Sequence, residues 1–130
     1  MKEFKRCKVL EEQVLNCIEA RIEETAQTAL CNQTHSLEQR LIRFLLTLAD
    51  RLNSKEIDIT QDIIADMLGV TRSIVTVTAG ELRQAEMIDY LRGHITIVDP
   101  AALKARACEC YNVIKKSIER FAPQRCKLDL

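Results

Sequence analysis

The chain has 130 residues, 47% hydrophobic and 29% charged, with only three glycines and two prolines; that excludes a disordered chain and favours long helices over a many-stranded sandwich or barrel. Nineteen basic residues balance nineteen acidic ones, so no global field advertises a partner. No apolar run approaches the ~18 to 20 residues of a membrane span, and the charged start leads into no signal-peptide core, so a soluble cytoplasmic protein with no membrane partner is expected.

From about Lys8 to Leu30 the pattern predicts one helix. Leu15, Ile18, Ile22, Thr25 and Ala29 recur at alternating three- and four-residue steps, the narrow seam of a paired helix rather than a broad core-facing stripe. Roughly 23 residues at ~1.5 Å each make a rod of about 35 Å, longer than a small domain needs for its own core. The seam is expected to join two copies in parallel as a homodimer. Residues 1–31 then form a dimerisation helix and residues 32–130 a second unit.

Cys31 to His35 interrupt this pattern. Ser36-Leu37-Glu38-Gln39 has the form of a capping box and opens a second helix, with a wide apolar face from Leu37 to Leu52. A polar turn at Asn53-Ser54-Lys55 precedes a very short strand in which Ile57 and Ile59 alternate with charges. Thr60 then caps a short helix with Ile63, Ile64, Met67 and Leu68 inward, ended by Gly69. Thr71 caps the next, to about Ala85, with Ile74, Val75, Thr78, Leu82 and Ala85 on one side and Gly80 in its interior, expected to mark close packing. Residues 88–98, with Arg92-Gly93 between two apolar runs, read as a β-hairpin. Asp99-Pro100 starts a final helix, whose continuous apolar face runs from Leu103 to Phe121 and is bounded by Pro123. The fold class expected is mainly α with a small β-hairpin.

The six cysteines (Cys7, Cys17, Cys31, Cys108, Cys110, Cys126) show no zinc-knuckle spacing. On a continuous helix Cys108 and Cys110 would lie about 200° apart, a poor chelate, so reduced thiols and no metal or cofactor are expected. His35 and His94 are far apart in sequence without ordered Asp, Ser or Cys partners, so no catalytic pair is expected and the chain does not read as an enzyme.

The informative stretch is Thr60 to Val98. A small residue at Ala65 lets two helices cross closely, Gly69 takes the positive φ of a tight turn, and Val75 plugs the angle between them. A hairpin behind them supplies a wing, and together these are the parts of a winged helix-turn-helix. Near the start of its second helix, residues Thr71–Ala85, Arg72 can reach guanine O6 and N7 in the major groove, with weaker contacts from Ser73 and Thr76. Val77 can touch only a thymine methyl. The caps Thr60 and Thr71 sit where a phosphate can bind, Gln61 beside the first cap belongs to the same candidate set, and Arg92 and His94 flank the wing turn, where phosphates are contacted.

The run Thr60-Gln61-Asp62-Ile63-Ile64-Ala65-Asp66-Met67-Leu68-Gly69-Val70-Thr71-Arg72, with Leu82 to Ile88 and the wing from Asp89 to Asp99, resembles the C-terminal part of Crp/Fnr-type transcriptional regulators. Cys31 to Leu41 and Leu48 to Leu52 resemble that family's link between dimer helix and DNA-binding domain, and Cys108-Glu109-Cys110-Tyr111 resembles a C-terminal helix of one branch. The resemblance implies a dimeric, sequence-specific regulator of double-stranded DNA. The family's jelly-roll effector domain and its cluster cysteines have no counterpart in these residues, so neither cyclic-nucleotide binding nor iron–sulfur sensing is expected. The alternative is a protein-interaction module with little DNA affinity that pairs with a full-length regulator; it draws on Val77, where the family frequently has arginine, and on the three basic against six acidic residues of 61–100.

Overall fold

A computed structural model of the chain describes residues 2–121, with side chains over 7–120; Pro123 and Cys126 lie outside the described residues. The order is α1 (Lys2–Thr34), α2 (Leu37–Leu52), β1 (Glu56–Asp58), α3 (Gln61–Leu68), α4 (Arg72–Gln84), β2 (Ile88–Leu91), β3 (His94–Ile97), α5 (Pro100–Arg106) and α6 (Glu109–Phe121). The described residues are thus mainly helical, as composition predicts, with one small sheet.

The rod is longer than the seam suggested. With no glycine or proline in its first 34 residues, α1 continues through the polar segment after Cys31, where His35 N–H still donates to the Cys31 carbonyl at 3.0 Å. Only then does the chain turn. Ser36 Oγ accepts from Gln39 N–H and Gln39 Oε1 from Ser36 N–H, each at 3.3 Å, the reciprocal box that stabilises a helix start by about 1 kcal/mol. Asn53, left-handed at φ 49°, closes α2.

One core joins the elements. The buried face of α2 (Leu41, Ile42, Leu45) shares one buried cluster with Ile64 of α3, Leu82 of α4 and Leu103 of α5, each side chain worth roughly 1.5–3 kcal/mol when removed from water. The sheet lies beside it. Its order is β1-β3-β2, antiparallel throughout, with Ile57 opposite Ile95 and Ile88 opposite Ile97. The short strand expected on its own is therefore the third strand of the hairpin's sheet. At the hairpin turn Arg92 and Gly93 both take positive φ, 43° and 77°, the twist that joins two antiparallel strands tightly.

Four expectations fail in detail. The final helix is two helices, because Ala107 is extended at ψ 145° and Cys108 stands just ahead of α6. Ile63 and Met67 are 50% and 67% exposed, as is much of Ile74, and Ala85 is exposed as well. At ~100° per residue, Gln61, Ile64, Ala65 and Leu68 form the inward face of α3, and Ile63 and Met67 fall opposite them. Thr71 has the extended N-cap backbone, but its side chain makes no capping hydrogen bond.

The fourth is Gly80, where an added Cβ would meet nothing within 4 Å. The glycine serves no close approach, and its backbone freedom is a cost of folding. Gly80→Ala is therefore expected to stabilise the protein by about 0.5–1 kcal/mol, read as a higher urea midpoint at unchanged slope. A loss of stability would show that α4 needs the gap.

Candidate functional site

The pair α3–α4 turns through 108°, within the ~90–120° of a helix-turn-helix. Each of the three marker residues does what its chemistry suggests. Gly69 is left-handed at φ 68° and donates to the Asp66 carbonyl, while Val70 N–H donates to that of Ala65 at 3.0 Å. Ala65 is buried at the crossing and Val75 is fully buried between the helices. The bend is thus fixed by packing rather than left to a loop.

That bend leaves the first turn of α4 open to solvent. Thr71, Arg72, Ser73, Thr76 and Val77 are all exposed. Gln61 is not, and its Oε1 accepts from the Thr76 hydroxyl at 2.5 Å, with the Arg72 carbonyl as a second acceptor at 3.0 Å. Gln61 and Thr76 therefore brace α3 against α4, a tie across 15 residues that the periodicity did not signal. Arg72 extends over α3, with Nη1 3.4 Å from Asp62 Oδ2 and both side chains largely exposed. Such a pair is worth little in water and leaves the guanidinium available.

The other candidates gather at the wing. Ile59 N–H donates to the Gly93 carbonyl at 2.9 Å, and a Cβ on Gly93 would lie 3.6 Å from Thr60 Cγ2, so the Thr60 cap and the Arg92-Gly93 turn are neighbours. Thr60 Oγ1 accepts from Ile63 N–H at 3.3 Å. His94 faces Asp58 across the β1–β3 register, with Nδ1 2.6 Å from Oδ1; this hydrogen bond and the carboxylate's charge hold the imidazole pKa above its ordinary 6.5. Arg92 forms no ion pair among the described residues.

The predicted seam of α1 lies on the side of the rod turned away from the domain. Ile18 and Ile22 are 49% and 62% exposed and, with Thr25 and Ala29, line a shallow apolar strip; Leu15 is likewise bare. The opposite side of α1 packs on α6. There Cys31, His35, Cys108 and Cys110 come together with all four ligand atoms within 4.8 Å of one another. Burial and the neighbouring Cys108 thiol push the Cys31 thiol up to about 12, against the lowering effect of Arg43. The break at Ala107 removes the helical geometry that would have separated Cys108 from Cys110.

Residues 39–106 match the model of the Crp-like helix-turn-helix domain. Among solved structures, the chain is similar to a Crp/Fnr-family protein from Eubacterium rectale, at 28% identity and a TM-score of 0.59 over 61% of this chain and 37% of the other. It is also similar to a CRP-family transcriptional regulator from Thermus thermophilus, at 26% identity and a TM-score of 0.60 over 66% of this chain and 47% of the other. The chain thus spans less than half the length of either. No curated protein matches it. With the domain match extending over more than half of its residues and the same architecture in both structures, the chain belongs to the Crp-like helix-turn-helix family.

Proposed function

We propose that the chain is a cytoplasmic, sequence-specific double-stranded DNA-binding regulator of transcription, a binding protein rather than an enzyme, that acts as a parallel homodimer. One observation carries this reading: packing of Val75 and Ala65 sets the α3–α4 angle, and the polar first turn of α4 is left bare at the outer end of that bend. A helix presented in this way suits the major groove. Arg72 and Ser73 are its readers, Gln61 and Thr76 hold them in position, and Thr60, Thr71, Arg92 and His94 are placed for phosphates.

The dimer follows from the bare stripe Leu15, Ile18, Ile22, Thr25 and Ala29. On a charged rod this strip resembles a buried seam waiting for its equal, and a second copy supplies an identical one. Two recognition helices related by a two-fold axis then favour an inverted repeat with half-sites about one helical turn apart.

A second reading has its own observation. Arg72 stands beside Asp62 and His94 beside Asp58, so two of the candidate phosphate or base contacts begin partly neutralised. A module that has given up DNA and pairs with a full-length regulator would tolerate this.

Two measurements separate the readings. Duplexes enriched from a random pool at low salt are expected to contain a symmetric motif, and Arg72→Ala is expected to cost about 1–3 kcal/mol at that site and to relax one base-pair preference. Enrichment without symmetry, or an Arg72→Ala variant of unchanged affinity, favours the second reading. At the wing, the pair with Asp58 raises the folded-state pKa of His94, so its contribution is fully present below the unfolded pKa and is lost as pH rises through the folded one. An NMR titration should place the His94 midpoint above the ordinary 6.5, and Asp58→Asn should bring it down; equal midpoints would show that the pair does not form in solution.

A further inference from the structure

The four-residue cluster between α1 and α6 has no part in the reading above. His35 follows Cys31 by four residues, so both project from one face at the end of α1. Cys108 stands ahead of α6 and Cys110 lies in its first turn, and the extended Ala107 lets both thiols face α1. The distances are informative. Cys31 Sγ and Cys108 Sγ are 3.7 Å apart, and Cys110 Sγ and His35 Nδ1 are 3.5 Å apart. Around a tetrahedral zinc with Zn–S of about 2.3 Å and Zn–N of about 2.0–2.1 Å, two thiolates lie ~3.7–3.8 Å apart and a thiolate and an imidazole nitrogen ~3.5–3.6 Å. Both contacts have the lengths of edges of one such tetrahedron. A disulfide would bring the two sulfurs to ~2.05 Å, and a multi-iron core would need its ligands spread more widely than 4.8 Å.

The surroundings agree. His35 Nε2 lies 3.2 Å from Glu109 Oε1, the carboxylate partner that orients a metal-bound imidazole through its other nitrogen. Gln27 Nε2 donates to Cys110 Sγ at 3.1 Å. Arg43 is buried, forms no ion pair among the described residues, and keeps an unpartnered Nε. A buried guanidinium without a counter-charge is costly, and a divalent ion held by three thiolates and a neutral imidazole carries one negative charge. The structure assigns Cys31, His35, Cys108 and Cys110 as the ligands of a structural Zn(II) ion that staples the rod α1 to α6. Binding releases the three thiol protons to solvent, and four protein ligands leave no open position for catalysis.

The full chain, purified under reducing conditions, is expected to carry about one zinc per chain. Its metal-free form should take up Co(II) with a thiolate charge-transfer band and intense tetrahedral d–d bands that Zn(II) abolishes, and a chelator should lower the melting temperature. Cys110→Ser should lose the bands. If that variant does not fold, His35→Cys should keep the metal and shift the d–d bands towards a four-sulfur pattern. A folded, reduced chain that binds neither zinc nor cobalt overturns the assignment. So does Co(II) binding with an identical spectrum in Cys110→Ser and His35→Cys, or iron with inorganic sulfide in place of zinc.

Discussion

The structure depends on α1 having two opposed faces. Glu24 pairs with Arg51, Glu23 with Arg120 and Ser117, and Thr28 accepts from Arg43, so one face is held to α2 and α6 largely by polar contacts. The other is a bare aliphatic strip. The rod is therefore fixed to the domain on one side while the other remains free to bury apolar area, which is the stronger drive. Arg40 links the rod to the helix-turn-helix: it donates to Asn32 Oδ1 at 3.0 Å and to the Leu68 carbonyl at the end of α3, where a cation also favours the helix dipole. A rod held in this way is tied to α3 and, through the packed bend, to α4, and in the proposed dimer it would set where α4 stands relative to the second copy.

Where local chemistry decides the structure, the residues announce it. The Ser36–Gln39 box, left-handed Gly69, buried Ala65 and Val75, and the Arg92-Gly93 turn all follow from rules that act within a few residues. The apolar stripe on α1 is legible for the same reason, since it lies along one helix, and the structure leaves it exposed. The sequence is less informative where tertiary context overrides local pattern. The short strand β1 follows from its alternation, but its place in the sheet comes from β3, some forty residues later. Ile63 and Met67 look like core residues by hydropathy, but an eight-residue helix has room for one inward face, and Ile64 and Leu68 take it.

The candidate site was legible as a set of positions and less so as a set of roles. Arg72, Ser73 and the wing residues are exposed or half-exposed, as expected. Gln61 is spent inside, on Thr76, through a contact no motif encodes. The cysteine cluster was the least legible feature, because its two halves are 77 residues apart and the break that aligns the second half occurs at an alanine, with neither glycine nor proline to mark it. Electrostatics was half legible: the acidic balance of residues 61–100 can be counted, but only the structure shows that Asp62 stands beside Arg72 and Asp58 beside His94.

The symmetric recognition of an inverted repeat rests on the bare stripe of α1 being an interface between two copies. Sedimentation equilibrium of the reduced full chain at micromolar concentration, compared with the Ile18→Asp plus Ile22→Asp variant, tests this most directly. Twice the chain mass is expected for the natural sequence and the single-chain mass for the variant, with the variant's helical signal retained. A single-chain mass for the natural sequence, or a dimer that survives both substitutions, would contradict it.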